Sequence, residues 1–337
     1  MAITANTKVP TLDYWKLARH IEVGDMLFNK EGMPVKVKLV QHYYVEECYE
    51  VTFSDYVVAE GDRHLSFLVE DREYRNKTFR YKGIKKMRRP LKLKSVLDLQ
   101  EEGLLYDGTR ATYSIPTTKP IALPAQMPSI PPFVMGYWVN SEKQYKHWGK
   151  KTYRLSVWSI LEKETVEKFK EFGYKLKKDW SKFAESLRYE ETPSIKKQLH
   201  PNYPTYIPEN YIMGSIDERL ELMQGVFYAK PKSYRPKEDM FLYASSDLKQ
   251  LKQLQGVLES LGEKTSILHK KTLNYYILKF KPKYKYLPIQ SEPKIKVHRN
   301  RRMIKQISQL PAQMCVHIEV DNEDPTFLVG EGFIPVC

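Results

Sequence analysis

Pro116-Thr117-Thr118-Lys119-Pro120-Ile121-Ala122-Leu123-Pro124-Ala125-Gln126-Met127-Pro128-Ser129-Ile130-Pro131-Pro132 holds six prolines. Each proline lacks a backbone N–H and carries a ring that clashes with the preceding turn. That density interrupts helix and sheet alike, so a domain boundary is expected near residue 125. Before it the pattern is β-rich. Val23-Gly24-Asp25-Met26-Leu27-Phe28 leads into the turn signal Lys30-Glu31-Gly32-Met33-Pro34. Val35, Val37 and Leu39 then alternate with lysines, as in a half-buried strand. Tyr49–Phe53 and Leu65–Val69 read as further strands. Beyond the prolines the pattern turns helical. Phe133–Val139 is apolar, and Thr165–Lys177 is amphipathic. Asp217–Phe227 places Leu220, Met223 and Phe227 at helical spacing, with Asp217 as the expected N-cap. Asp247–Leu261 repeats Leu248, Leu251, Leu254, Val257, Leu258 and Leu261 and stops at Gly262. Tyr275–Phe280 is strand-like, and alternation returns from Cys315 through Val316, Ile318 and Val320 to Phe327–Val329. The order β, α+β, β suits one β domain split by an insertion, because chain ends and insertion points tend to lie close together.

The chain has 337 residues, which at about 150 per domain suggests about two domains. Apolar residues make up 42% and charged residues 28%, a balance that argues against wholesale disorder. The net charge is +14, which favours a polyanionic partner. The excess is concentrated. Residues 71–100 hold eleven basic side chains against three acidic ones: Arg72, Arg75, Lys77, Arg80, Lys82, Lys85, Lys86, Arg88, Arg89, Lys92 and Lys94. A second cluster holds Lys279, Lys281, Lys283, Lys285, Lys294, Lys296, Arg299, Arg301, Arg302 and Lys305. Cations grouped in this way displace the counterions condensed on nucleic-acid phosphates. Phe79, Tyr81, Tyr284 and Tyr286 interleave with them and could pack on sugars or bases. The alternative is two solvated connecting segments. Cys48, Cys315 and Cys337 are too few for a disulfide framework, and their spacing is not that of a metal site. No apolar run reaches about 18 residues, and the N-terminus lacks a signal-peptide core. A soluble, cytoplasmic, monomeric protein without a membrane role is expected.

Three stretches together resemble one family. Ala2-Ile3-Thr4-Ala5-Asn6-Thr7-Lys8-Val9 is similar to the opening block of inteins, with Ala2 at the position where the family carries a Cys or Ser nucleophile. His20-Ile21-Glu22-Val23-Gly24-Asp25 with Glu31-Gly32 resembles the next stretch of their Hint-type splicing domains. Gly61-Asp62-Arg63-His64 stands where the family has Thr-x-x-His, so His64 matches and Gly61 does not. Phe327–Cys337 resembles the closing blocks, which end in His-Asn, and here Cys337 takes the penultimate His position. The middle carries a second resemblance, to LAGLIDADG homing endonucleases. Val134-Met135-Gly136-Tyr137-Trp138-Val139-Asn140-Ser141-Glu142 is similar to the first motif helix of that family. Met223-Gln224-Gly225-Val226-Phe227-Tyr228-Ala229-Lys230-Pro231 is similar to the second. The implied fold is an all-β Hint (horseshoe-like) splicing domain split by an α+β LAGLIDADG domain. The implied limits are 1–125 and 287–337 for the former and 126–286 for the latter.

The resemblance implies autocatalytic protein splicing by acyl shift, transesterification and Asn cyclisation, with exteins, the flanking host segments, as partners. A Cys or Ser at the first position turns an amide into a reactive ester or thioester. His64 would protonate the departing nitrogen, although a single His after a strand is more often structural. Ala2 has no lone pair for attack, and no Asn follows Cys337, so splicing is expected to be blocked. Active LAGLIDADG enzymes place an acidic residue at the eighth motif position of each helix to hold divalent cations. Here those positions are Ser141 and Lys230. Cleavage is therefore expected to be lost, with Mg²⁺ needed only if the domain were active and no cofactor needed for splicing. Glu142, Glu238 and Asp239 lie nearby as substitutes. Binding of double-stranded DNA could persist. The alternatives are a free-standing basic DNA-binding protein and a site-specific LAGLIDADG DNA endonuclease.

Overall fold

The computed structural model describes residues 1–71, 91–141, 144–147, 150–174, 177–179, 186–190, 206–290 and 301–337. Arg72, Arg75, Lys77, Arg80, Lys82, Lys85, Lys86, Arg88 and Arg89 lie outside the described residues. The chain divides into two compact units. Unit 1 comprises Met1–Ala122, Gly262–Lys264 and Lys296–Cys337, and unit 2 comprises Leu123–Leu261 and Thr265–Ile295. The first limit falls a few residues before the expected 125. The second lies beyond 286, and Leu287 is buried in the core of unit 2.

The main elements begin with β1 (Ile3–Thr4), β2 (Met26–Phe28), β3 (Pro34–Val45), β4 (Cys48–Phe53), β5 (Val58–Asp62), β6 (Ser66–Val69) and β7 (Ser114–Pro116). Unit 2 follows with α1 (Pro132–Asn140), β8 (Gln144–His147), β9 (Lys150–Trp158), α2 (Glu162–Glu171), β10 (Lys177–Asp179) and β11 (Ser186–Glu190). It continues through α3 (Ile216–Ala229), β12 (Tyr234–Arg235), β13 (Met240–Ser245), α4 (Leu248–Ser260), β14 (Thr265–Lys270) and β15 (Tyr275–Phe280). The chain then re-enters unit 1 with β16 (Arg301–Leu310), β17 (Gln313–Val320), β18 (Phe327–Val329) and β19 (Ile334–Val336).

Unit 1 is built on an eight-stranded sheet in the order β7-β16-β4-β5-β1-β17-β3-β2. Its logic is visible in β17. Val316, Ile318 and Val320 are buried, while His317 and Glu319 between them are half-buried, the period-2 signature of a strand with one face on a core. β16 and β17 come from the C-terminal segment, yet they pair with β4, β1 and β3 from the N-terminal one. The sheet is therefore one structure woven from both ends of the chain. A buried ion pair locks the join, with Arg302 Nε donating to Asp55 Oδ2 at 2.6 Å. Both side chains are almost wholly buried.

Unit 2 holds two four-stranded sheets, β8-β9-β11-β10 and β12-β13-β15-β14. Its core is strongly aromatic. Phe241 stacks on Phe280 with centroids 5.0 Å apart, and Phe227 lies 4.3 Å from Phe241. Such pairs add stabilisation beyond the area they bury. α2 runs over Glu162–Glu171, earlier than the expected Thr165–Lys177, since Gly173 lies in the left-handed region and ends the turn. α3 is capped by Ser215, not by Asp217. Ser215 accepts from the Glu218 N–H while the Glu218 carboxylate accepts from the Ser215 N–H, a reciprocal box that a lone Asp at the first turn cannot make. α4 is capped by the Asp247 side chain.

Candidate functional site

Residue 2 is seated in the middle of the unit 1 sheet. β1 is only two residues long, but β5 flanks it on one side and β17 on the other. The Asp62 N–H donates to the Ala2 carbonyl at 2.9 Å. Gly61 has to be glycine, because a Cβ there would overlap the Ala2 carbonyl oxygen. The departure from Thr-x-x-His at that position thus has a steric reason. Ala2 packs with Cys48 and Cys315, all three fully buried, and the two sulfurs lie 3.5 Å apart. Burial, aided by Cys48, pushes the Cys315 thiol well above the ordinary cysteine range. It is held as a thiol, the unreactive form. Asp62 accepts from the His64 N–H at 3.0 Å. Burial, with the Asp62 charge, pushes the Tyr43 phenol up to about 12.

The other end of the chain reaches the same stretch of backbone. The Cys337 N–H donates to the Ser66 carbonyl at 3.0 Å. Residues 61–66 thus touch residue 2 at one end and residue 337 at the other, with His64 between them. The His64 backbone is fixed on both sides, by Asp62 and by the Ser66 hydroxyl, which donates to the His64 carbonyl at 2.7 Å. Its imidazole is exposed, with Nε2 3.4 Å from Arg63 Nε. Cys337 is half-buried, and burial pushes its thiol up to about 12.

Another histidine lies against residue 1. His317 Nδ1 lies 2.6 Å from the Met1 carbonyl oxygen, and its Nε2 lies 3.1 Å from Glu319 Oε1. The β1–β17 register pairs Ile3 with Val316, which brings residue 2 opposite His317. The His317 hydrogen bond holds the Glu319 carboxyl below the usual range, with Lys38 assisting. Sequence reading passed over His317. The only local signal was the i, i+2 His–Glu pair on the face opposite Val316 and Ile318.

In unit 2, α1 and α3 cross at two matched glycines. A Cβ on Gly136 would overlap the Leu222 carbonyl oxygen, and one on Gly225 would overlap that of Phe133. Two helix backbones can approach this closely only where no side chain separates them. Ser141 and Lys230, each five residues after its glycine, are the C-cap residues of α1 and α3. Tyr243 joins the two ends. Its hydroxyl donates to Asn140 Oδ1 at 2.5 Å, and the Lys230 ammonium lies 4.6 Å from its ring centroid. Burial raises the Tyr243 phenol, so it stays a donor. Ser141 is buried, and its hydroxyl lies 3.3 Å from the Trp138 carbonyl. A neutral hydroxyl and a cation do not fit a divalent metal. Among the described residues, no group of three or more His, Cys, Asp or Glu side chains is placed to hold one. Glu142 lies outside the described residues, and Asp239 accepts from the Tyr234 hydroxyl at 3.2 Å. Lys281 and Lys285 are exposed and Lys283 is half-buried, all just after β15. Among the described residues, no helix is long and apolar enough to cross a membrane.

No protein-family model matches the chain, and no match is found among curated proteins. Solved structures similar to it include the MchDnaB-1 intein, 29% identical over 20% of this chain and 53% of that one, with a TM-score of 0.20. The chain thus spans about half the length of that relative. The Msm DnaB1 intein splicing domain bound with zinc is 10% identical over 99% of this chain and 97% of that one, with a TM-score of 0.30. I-DmoI in complex with DNA and Mn is 15% identical over 44% of this chain and 87% of that one, with a TM-score of 0.33. Two chain ends share one sheet around an insertion, and two helices cross at paired glycines inside that insertion. The chain therefore resembles an intein, an all-β Hint-type splicing domain split by an α+β domain of LAGLIDADG type.

Proposed function

We propose that unit 1 is an acyl-transfer element for protein splicing, silent in this chain because residue 2 is alanine, and that unit 2 binds double-stranded DNA without cutting it. The observation that carries the first part is the convergence of residues 2 and 337 on residues 61–66. Splicing requires the two junctions to react with each other, so their attachment to one short segment supports that chemistry. In this reading a Cys or Ser at residue 2 attacks the Met1 carbonyl and His64 protonates the departing nitrogen. A Cys or Ser opening the downstream segment then takes the acyl group from residue 2, and cyclisation of an asparagine after residue 337 breaks the downstream junction. The freed ester or thioester rearranges to a peptide bond between the two flanks. The buried serine and the lysine at the two helix ends support binding without metal-assisted cleavage. The net charge of +14 supports the polyanionic partner. The test is a precursor with Ala2→Cys, an asparagine placed after Cys337, and a folded segment on each side, the downstream one opening with cysteine. Ligated flanks in the mass spectrum support the proposal. Intact precursor, with the protein folded by circular dichroism, refutes it.

A further inference from the structure

We infer that His317, oriented by Glu319, is a catalytic residue for acyl transfer out of the bond between residues 1 and 2. The inference rests on the acyl-transfer reading of unit 1. His317 Nδ1 is 2.6 Å from the Met1 carbonyl oxygen, which is the oxygen that gathers charge when that carbonyl is attacked. On its other side Nε2 faces Glu319 Oε1 at 3.1 Å. Both neighbours are acceptors: the tautomer with its proton on Nδ1 donates to the Met1 carbonyl, and the imidazolium donates to both. The carboxylate is itself anchored by Lys38 Nζ at 3.4 Å from Glu319 Oε2, and it fixes the plane of the imidazole. A donor placed in advance at a developing oxyanion lowers the barrier without reorganisation. The Met1 carbonyl oxygen is thus met by His317, while His64 Nε2 lies 3.4 Å from Arg63 Nε.

With Ala2→Cys, the sulfur adds to the Met1 carbonyl carbon and the π electrons move onto the oxygen facing Nδ1. Collapse then breaks the bond between that carbon and the residue 2 nitrogen. The sulfur–carbon bond remains as a thioester, and the thiol proton ends on the nitrogen, as a free amine.

The experiment uses the full chain with Ala2→Cys and an upstream segment, treated with dithiothreitol, which intercepts the thioester and releases that segment. His317→Ala is expected to slow release about 10²-fold. His317→Asn keeps a side-chain N–H where Nδ1 stands and is expected to recover much of the rate. His317→Gln, whose amide reaches the Nε2 position instead, is not. A ¹³C label on the residue 1 carbonyl reports the contact itself. Its resonance should move upfield in His317→Ala while the melting temperature holds. Release at the parental rate in a folded His317→Ala variant overturns the inference and leaves the acyl-transfer reading standing. No release from the folded parent overturns that reading, and the inference with it.

Discussion

Single side chains decide whether the two ends of the chain can meet. Gly61 makes room for the Ala2 carbonyl, and Asp62 hydrogen-bonds it. The Asp55–Arg302 pair holds the returning strand β16 to the turn after β4. Removing one partner of a buried pair strands a charge, so Asp55→Ala should destabilise unit 1 by about 3–5 kcal/mol. The urea midpoint measures this, and a loss below about 1 kcal/mol would mean that the pair behaves as a surface contact. The sequence pointed to residue 2, His64 and Cys337 through their place in motifs. It did not point to His317, because that contact spans 316 positions and depends on a strand register that no local pattern encodes.

At the level of elements, the glycine crossing of α1 and α3 is the most sensitive joint in unit 2. Gly225→Val should force the helices apart and cost about 1–3 kcal/mol. An unchanged melting temperature would contradict the close crossing. The paired glycines were legible in the sequence because both stand at the same motif position. The start of α3 was less so. Ser215-Ile216-Asp217-Glu218 contains the Ser-x-x-Glu box, yet Asp217 draws the eye as the nearer acid. Glu218 does more than cap. It also accepts from the Gln126 and Met127 N–H groups at 3.0 and 2.8 Å. Burial pushes its carboxyl up, but the backbone hydrogen bonds from Gln126, Ser215 and Met127 outweigh it and hold the group below its ordinary value of 4.5. A carboxyl depressed on folding contributes stability that is fully present above its unfolded value and is lost as pH falls through the folded one. Unit 2 should therefore weaken below pH 4.5, and Glu218→Gln should flatten that part of the denaturation profile. An identical acid profile in the variant would contradict this assignment.

For the molecule as a whole, the order of β, α+β and β segments was readable from the prolines outward, because proline acts locally. The outer limit of unit 2, set at 286, was not, since Leu287 belongs to its core only by long-range packing. The charge of +14 makes a prediction of its own. Duplex DNA should bind without divalent metal and weaken steeply with salt, each phosphate contact contributing about −0.9 to the log–log slope. A fluorescence-anisotropy titration at several salt concentrations checks this, and salt-independent affinity would contradict it. The central claim is that residue 2, seated against Gly61, and residue 337 form one self-processing site. Its most direct measurement compares two precursors bearing Ala2→Cys, an asparagine after Cys337 and both flanks, the downstream flank opening with cysteine, one of them also carrying Gly61→Val. The account predicts the mass of ligated flanks from the first and unligated precursor from the second; ligation in both, or in neither while both are folded, would contradict it.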